Sequence, residues 1–347
     1  MLAQFLFAST LFAVSALAAP DPVKPYDDVR YITGLRAAKD LSKVDDSVVP
    51  TLTFNQKTRW PETVRTPAGL LEAAKDPGLG VRDLHRQGIT GQGVSVAIID
   101  QPLLPDHPEL AGRIAAYRDF GCQSKTSMHG PVVASLLVGK STGTAPGARL
   151  YYAAAPRWLR DAANEAQALE WILEQNRRLG AAERIRVVSV SASPGMQGEK
   201  NPARWSEAVR RAEAEDVLVL DCSDERAVIG RCWFQGANRD DPASCAPGSP
   251  GMPPFPMPRR VLAPSSLRTS AEQWEEGDFG YVYWGRGGQS WTVPYAAGVL
   301  ALGWQIRPEL TPKQAVELLF QSAYKTSDGA RIIHPLEFVR AVREYRQ

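Results

Sequence analysis

Short apolar runs that alternate with helical patterns limit most strongly how this chain can fold. Each run is nearly continuous in apolar residues, as expected for a parallel β-strand that is covered on both faces. The runs lie at residues 94–99, 148–155, 185–190, 217–220 and 261–263, with helical patterns at 130–138, 158–179, 203–215 and 313–322. Strands that alternate with helices form βαβ units. We therefore predict an α/β fold built on a largely parallel sheet.

The first residues of the chain have the composition of an export signal. Residues 1–19 contain no charged side chain, and the apolar stretch 5–14 is followed by the sequence ALA. A small-x-small cleavage site behind an apolar segment too short to span a bilayer is typical of a signal peptide. We therefore predict a signal peptide at 1–18, cleavage after Ala18, and a secreted protein, extracellular or periplasmic, with no membrane-spanning segment.

Charge and cysteine content narrow the function classes and the compartment. The 347-residue chain has 40 basic and 38 acidic residues and a formal net charge of +2, so no nucleic-acid partner is expected. An even number of cysteines in an exported chain favours disulfide bonds, and the four are Cys122, Cys222, Cys232 and Cys245. Three pairings are open, and the short loop between Cys232 and Cys245 favours that pair. A zinc site is the alternative, but the chain has no C-x-x-C pair.

Three residues carry the parts of an activated serine nucleophile. Asp100 ends an apolar strand, the place where α/β sheets put functional groups. His129 stands at a junction between a loop and a helix, and Ser290 follows a Gly-rich loop and precedes a helix of small residues. An aspartate, a histidine and a serine in such positions provide the groups that nucleophilic catalysis needs. The other histidines are predicted to be structural or solvated, namely His85, His107 and His334.

Three sequence motifs surround these residues: 91–100 (GQGVSVAIID), 128–135 (MHGPVVAS) and 288–298 (GQSWTVPYAAG). They resemble the aspartate, histidine and serine motifs of the subtilisin-like serine proteases (subtilases, peptidase family S8). The order Asp, His, Ser is also the subtilisin order, and it differs from that of α/β-hydrolases and of chymotrypsin-like enzymes. The resemblance covers about residues 80–345. It implies a subtilisin-like three-layer αβα fold.

The resemblance also divides the chain into segments. Residues 81–347 are expected to form the catalytic domain, and residues 19–80, rich in proline and charge, lie where subtilases carry a pro-segment. The segment contains no convincing processing site, so an N-terminal arm packed on the catalytic domain is the alternative. Short helices are predicted at 29–41 and 67–75. Residues 246–258, rich in Pro, Gly and Met, are predicted to form a loop.

For function, the resemblance implies a secreted serine endopeptidase that acts on peptide or protein substrates. Ser290 would be the nucleophile, His129 the general base and acid, and Asp100 the group that orients His129. Substrates would bind along 187–195, which resembles the family's substrate-binding edge, through Ser189, Ser191, Ala192 and Ser193. No cofactor and no metal ligand set is implied, and a calcium site cannot be placed. The protein is expected to be a monomer without membrane or nucleic-acid partners.

Departures from the family pattern bear on activity. Subtilases supply an oxyanion-hole Asn after a strand similar to 217–220, but here that strand runs into the sequence DCSDE. Asp224 aligns best with the position of the missing Asn, and Ser223 and Glu225 are the alternatives. Loss of such a donor lowers turnover by roughly 10²–10³. Trp291 stands where the family usually has Met. The alternative function is therefore a secreted pseudoprotease of subtilase fold that binds peptides or a partner without efficient turnover, with a secreted esterase as a third possibility.

Overall fold

The computed structural model describes residues 22–31, 39–223, 228–236, 238–253 and 259–346. The predicted signal peptide lies outside these ranges, as do Asp224 and Glu225, most of the helix predicted at 29–41, and residues 254–258 of the predicted loop. Within the described ranges, no helix has both the length and the apolar character that crossing a membrane requires.

Strands and helices alternate along most of the chain. The strands are β1 (Thr53–Asn55), β2 (Ser95–Asp100), β3 (Ile114–Asp119), β4 (Arg149–Ala154), β5 (Ile185–Val190), β6 (Leu218–Leu220), β7 (Ile229–Phe234), β8 (Cys245–Pro247), β9 (Val261–Pro264), β10 (Arg268–Gln273), β11 (Phe279–Trp284), β12 (Tyr324–Lys325) and β13 (Arg331–Ile332). The helices are α1 (Pro67–Ala73), α2 (Val81–Arg86), α3 (His129–Val138), α4 (Ala162–Arg177), α5 (Pro202–Ala214), α6 (Thr292–Ile306), α7 (Pro312–Gln321) and α8 (Pro335–Glu344).

The elements predicted from the apolar runs and helical patterns are confirmed, with local corrections. Helix α4 was predicted to begin at 158 but begins at Ala162, because the side chain of Asp161 caps it by accepting a hydrogen bond from the Ala163 N–H. Residues 29–31 are not helical, so the start of the predicted helix at 29–41 is wrong. The predicted loop at 246–258 begins inside a short strand, β8, which pairs with β7.

The central sheet has the strand order β3-β4-β2-β5-β6, and all its neighbouring strands are parallel. Val96 and Ile98 of β2 belong to one apolar core with α3 and α6, whereas Ala97 and Ile99 belong to another with α4 and α5. Successive side chains of a strand point to opposite faces, so a strand covered by helices on both faces has no polar alternation. The predicted three-layer αβα fold with a largely parallel central sheet is confirmed.

Two smaller sheets extend this core. In one, β9 lies between β7 and β13 and is parallel to both, while β8 and β12 add antiparallel edges. In the other, β10 and β11 form an antiparallel hairpin whose outer neighbour is β1. Trp284 at the end of β11 pairs with Thr53 of β1 and with Arg268 of β10. This hairpin, which the sequence analysis did not predict, joins the first part of the chain to the domain that carries the candidate site.

The N-terminal arm, meaning the described residues between 22 and 80, has an apolar core of its own. Phe54 is fully buried and stacks on Tyr283 of β11, with ring centroids 4.9 Å apart. Arg30 is also buried, pairs with Asp28 at 2.7 Å, and places its guanidinium 4.7 Å from the centre of the Trp284 ring. The arm therefore packs on the hairpin of β10 and β11 as one folded unit with it.

The four cysteines, all within the described ranges, are free thiols in this structure. Cys122 lies beyond the end of β3 and Cys222 beyond the end of β6, and these two strands form the opposite edges of the central sheet, four spacings of roughly 4.8 Å apart. These two cannot pair with each other without a large backbone movement. Cys232 and Cys245, the favoured pair, lie on the adjacent strands β7 and β8, where burial and contact with Cys245 raise the pKa of Cys232. The disulfide between them stays a prediction.

Candidate active site

Asp100 and His129 meet at the carboxyl edge of the central sheet. Asp100 is the last residue of β2 and His129 is the first residue of α3, and Nδ1 of His129 lies 2.6 Å from Oδ1 of Asp100. A Cβ at Gly130 would lie 2.5 Å from the carbonyl oxygen of Gln101, so only glycine lets α3 approach the end of β2 so closely. The sequence motif His-Gly therefore has a direct steric reason.

The electrostatics of this pair favour an imidazolium. The side chain of His129 is 16% exposed and that of Asp100 is 4% exposed. Burial lowers the pKa of His129, but the charge of Asp100 and its hydrogen bond outweigh burial, and the pKa is raised above its usual value. Because a carboxylate only accepts, Nδ1 carries a proton and Nε2 of His129 is the nitrogen free to exchange one.

Ser290 lies in a 3₁₀ turn, Gln289–Trp291, that leads into α6. Its hydroxyl donates to the carbonyl oxygen of Ser191 at 3.2 Å, and the hydroxyl of Ser191 donates to the carbonyl oxygen of Ser290 at 2.8 Å. These reciprocal bonds tie the serine turn to the segment that follows β5. A Cβ at Gly287 would lie 1.6 Å from the carbonyl oxygen of Ser265, so the glycine ahead of the serine is also required by close packing.

Trp291 connects the serine turn to the histidine. Its indole is buried and its ring centroid lies 5.0 Å from that of His129, with the ring planes at 42°. Because Ser290 is bonded covalently to Trp291 and by hydrogen bonds to Ser191, the serine lies beside the same cleft as the histidine. The structure thus brings the three sequence-predicted residues to one edge of the sheet, with Asp100 and His129 in direct contact.

A cavity of about 100 Å³ opens beside the imidazole. It is lined by residues from the ends of β2, β4 and β5, the start of α3, and the region around the first turn of α4, namely Ile99, Asp100, Gln101, His129, Ala155, Arg157, Glu165, Ser191 and Ala192. The carboxyl ends of parallel strands meet at this edge, which is where ligands bind in open α/β sheets. The cavity is therefore the candidate place for a substrate side chain.

The predicted substrate-binding residues differ in how accessible they are. Ser189 is fully buried between β2 and β6, which pair with it on both sides, so it offers no surface to a substrate. Ser191 and Ala192 line the cavity, and Ser193 is half-buried just beyond them. The segment available to a peptide thus begins after β5 rather than within it.

The predicted oxyanion residues are described only in part. Asp224 lies outside the described residues. Ser223 is buried, and both its N–H (2.9 Å) and its hydroxyl (2.5 Å) donate to Oδ1 of Asp221, whose other oxygen accepts from Nε1 of Trp205 at 3.2 Å. The hydroxyl hydrogen of Ser223 is therefore engaged by Asp221, so it is not free for an oxyanion in this arrangement.

Sequence reasoning missed the two charged residues of the cavity besides the predicted pair, Arg157 and Glu165. A signal for Glu165 was present, because it lies three residues after Ala162 and four before Leu169, on the face of α4 that is buried. A charged residue on an apolar helical face is unusual unless it has a specific partner or role. Among the described residues, no group of three or more His, Cys, Asp or Glu side chains is arranged to hold a metal ion.

The sequence matches a known family in its central part. Residues 91–223 match the model of the subtilase family, a range that includes Asp100 and His129 and ends before Ser290. The subtilisin-like protease PopC of Myxococcus xanthus is 25% identical over 284 residues, which cover 71% of this chain and 58% of the relative. A subtilisin-like protease of Coccidioides posadasii is 28% identical over 173 residues, which cover 48% of this chain and 40% of the relative. The chain therefore spans less than two thirds of the length of these relatives.

Solved structures share the fold. A structure of the subtilase cytotoxin SubAB assembly matches with a TM-score of 0.58 and 16% identity over 77% of this chain and 95% of that one. The prenylagaramide maturation protease PagA matches with a TM-score of 0.54 and 17% identity over 76% of this chain and 98% of that one. Identities this low establish the fold alone. The family match over residues 91–223 and the two relatives support the recognition made from the motifs, that of a subtilisin-like serine protease.

Proposed function

We propose that the protein is a secreted, monomeric serine endopeptidase that hydrolyses peptide bonds with Asp100, His129 and Ser290. The observation that carries the proposal is the 2.6 Å contact between Asp100 and His129, with Ser290 held beside the same cleft through Ser191 and Trp291. This is the constellation of an orienting acid, a base and a nucleophile. Export through residues 1–18 is part of the proposal, and so is the Cys232–Cys245 disulfide, because disulfides persist in oxidising compartments.

The proposed reaction proceeds in two halves. Oγ of Ser290 attacks the carbonyl carbon of the scissile bond while Nε2 of His129 takes its proton, and Asp100 stabilises the resulting imidazolium. The imidazolium then gives the proton to the leaving amine, so the C–N bond breaks and an acyl-serine remains. Water attacks the ester by the same route. The Ser290 hydroxyl must first rotate away from the Ser191 carbonyl, a change about one single bond.

Charge on the substrate oxygen would be stabilised by backbone groups at the start of α6. The first N–H groups of a helix have no intrahelical acceptor, and the helix dipole favours negative charge at that end. The N–H of Ser290 is the proposed first donor. The second donor would come from the segment 221–225, where the family's Asn is replaced.

The direct test is hydrolysis of unfolded casein by the secreted protein, with Ser290→Ala as the matched variant and a serine-directed phosphonate as an active-site label. We expect cleavage and labelling of the wild type, and neither in the variant. Equal cleavage by both proteins would contradict the proposal, because the nucleophile would lie elsewhere. A mass spectrum of the labelled protein identifies the modified residue.

The second candidate function is a pseudoprotease that binds peptides without efficient turnover. Two observations favour it: the Ser290 hydroxyl donates to a backbone carbonyl, and the Ser223 hydroxyl is engaged by Asp221. Folded protein that binds casein peptides but neither cleaves them nor takes the phosphonate label would support this function. The casein test therefore distinguishes the two candidates.

A further inference from the structure

Glu165 is a buried carboxyl group without a full set of partners. It lies in the first turn of α4, and its side chain is 2% exposed. Its Oε1 is 3.5 Å from Nη1 of Arg157, at the limit of a hydrogen bond, and its Oε2 has no hydrogen-bond partner among the described residues. Burial raises the pKa of Glu165, and the interactions with its own backbone N–H and with Arg157 only partly offset this. A buried polar atom left unpaired costs free energy and calls for an explanation.

Arg157 does not supply the missing partner because another carboxylate already holds it. Its Nη1 and Nη2 donate to the two oxygens of Glu199, each at 2.9 Å. This paired geometry is the strong, bidentate form of the interaction. Glu165 is therefore left facing a guanidinium that is largely satisfied, with one buried oxygen that lacks a donor among the described residues.

This buried oxygen belongs to a residue of the cavity beside the candidate catalytic histidine. Glu165 shares the cavity of about 100 Å³ with Asp100, His129, Ser191 and Ala192. Such a volume is several times the roughly 10–15 Å³ that one water molecule needs on the same measure, so a small side chain fits. A substrate residue close to the cleaved bond is the group that enters a cavity in this position.

We propose that Glu165 determines substrate specificity: the cavity takes a small uncharged side chain that ends in an O–H or N–H donor, and this donor bonds to the carboxyl group of Glu165. Serine, threonine and asparagine are side chains of this class. Asp100 is engaged by His129, and Arg157 already places one cation 3.5 Å from Glu165, which disfavours a second cation in the cavity. The inference deepens the proposed peptidase function and rests on it.

A purely structural role for Glu165 predicts different behaviour. An acidic residue in the first turn of a helix interacts favourably with the helix dipole, typically by about 0.3–1 kcal/mol. If that were its whole role, a substitution would change stability and leave substrate preference unchanged. The test therefore needs a specificity readout beside a stability readout.

The experiment compares peptides that differ only by threonine or valine, which have nearly the same shape. Each of three positions on either side of the cleaved bond of a casein-derived substrate is varied in turn, and kcat/KM is measured. The same peptides are then bound to Ser290→Ala protein and their Kd values are measured by fluorescence anisotropy. If the wild type cleaves none of the peptides, the parent peptide for the binding measurement is instead selected from a random library on immobilised Ser290→Ala protein. The binding measurement therefore does not depend on turnover.

At one of these positions, kcat/KM for the threonine peptide should exceed that for the valine peptide by roughly tenfold or more, because valine cannot make the hydrogen bond to the buried carboxyl. The Kd values should differ in the same direction. In Glu165→Leu the ratio should fall to about one, whereas Glu165→Gln, which keeps an acceptor oxygen, should retain a preference. Glu170→Leu is the matched control, because Glu170 lies on the same helix and pairs with Arg211 away from the cavity. Thermal unfolding of each variant confirms that it is folded.

The outcomes separate this inference from the proposed function. If the Ser290→Ala protein binds the threonine peptide more tightly than the valine peptide while the wild type cleaves neither, the role of Glu165 is supported and the peptidase function is contradicted. Cleavage without threonine preference at any position, or a preference that persists in Glu165→Leu, overturns the role of Glu165 and leaves the peptidase standing. Absence of both cleavage and discrimination contradicts both.

Discussion

The indole of Trp291 packs against the imidazole of His129, with ring centroids 5.0 Å apart. On its other side Trp291 contacts Trp284 at 5.1 Å, and Trp284 in turn lies under the guanidinium of Arg30. A continuous row of flat groups in contact, with ring planes tilted by 56° and 42° and called the stack below, thus runs from the N-terminal arm to the candidate general base. Because such stacks hold rings in defined orientations, the arm contributes to the position of His129 through them.

Replacing Trp291 tests the contribution of this stack. We expect Trp291→Ala to lower kcat by roughly tenfold to a hundredfold, since small displacements of a catalytic group are costly. Trp291→Phe keeps an aromatic ring against His129 and should recover most of the activity. Steady-state kinetics on one peptide substrate give kcat and KM separately. An alanine variant as active as the wild type would show that the stack does not position the imidazole.

The pH dependence of activity should reflect the pair of Asp100 and His129. The proposed mechanism needs neutral His129 as base, and Asp100 raises the pKa of His129 above its ordinary 6.5. Activity should therefore rise with pH and reach half its maximum above pH 6.5. In Asp100→Asn the midpoint should move to lower pH, because burial then acts alone, and kcat should fall by about 10⁴.

Profiles of kcat/KM between pH 5 and 10 measure these midpoints in the free enzyme. The histidine resonances of Ser290→Ala protein give an independent titration of His129. A wild-type midpoint at or below pH 6.5, or an unshifted midpoint in Asp100→Asn, would contradict the assignment of His129 as the base.

The parts of the fold that could be predicted are those set by short-range patterns. The strand 185–190 and the helix at 313–322 follow from an apolar run and a helical pattern, and both appear in the structure, the helix with a capping box of Thr311 and Gln314. The hairpin of β10 and β11 could not be predicted from such patterns. Its strand β10 is buried throughout although it reads RTSAEQ, because α3 and the neighbouring strand β11 pack against it.

The candidate site also contains residues that local motifs predict and residues whose place depends on how distant elements pack. Asp100, His129 and Ser290 could be proposed from local motifs, because strand ends and helix starts are visible in a sequence. Glu165 could not be assigned to the site, since its place beside His129 depends on how α4 packs across the central sheet. Ser189 was predicted to contact substrate, but the pairing of β5 on both sides leaves it inside the sheet.

Glu109 should be important for stability rather than for chemistry. Its buried carboxylate accepts hydrogen bonds from Ser141, Thr142 and Tyr281, and so joins the turn at His107 to the segment after α3 and to β11. Glu109→Gln should lower the free energy of unfolding at pH 7 by about 1.5–3 kcal/mol, the typical range for hydrogen bonds to a charged group.

The effect of Glu109 should depend on pH in a defined direction. Burial raises the pKa of Glu109, but the hydrogen bonds from Ser141 and Tyr281 outweigh it and the pKa is lowered. The stabilisation is therefore present above the pKa of the unfolded chain and is lost as pH falls through the lower pKa of the folded state. Urea unfolding at pH 7 and pH 4 should show a smaller difference between the two proteins at pH 4. The control is Glu337→Gln, because Glu337 is only half-buried and pairs with the exposed Arg340, and this change should have little effect.

The N-terminal arm should remain in the active protein rather than leave as a pro-segment. Its β1 is hydrogen-bonded to β11, and Phe54 packs between Tyr283 and Trp60 in a core that removal of the arm would expose. Phe54→Ala should lower the free energy of unfolding by about 3–5 kcal/mol, as for other buried phenylalanines. Lys57→Ala, which removes an exposed ion pair with Asp278, should change it by less than about 1 kcal/mol.

Mass spectrometry of the secreted protein, recovered with the phosphonate label, tests the same point without a mutation. Labelled protein should begin at Ala19 and contain β1. Labelled protein that begins near residue 80 would instead identify the arm as a pro-segment. In that case the stack from Arg30 to Trp291 would be broken on processing, and Trp284 would lose both its strand partner Thr53 and its cation.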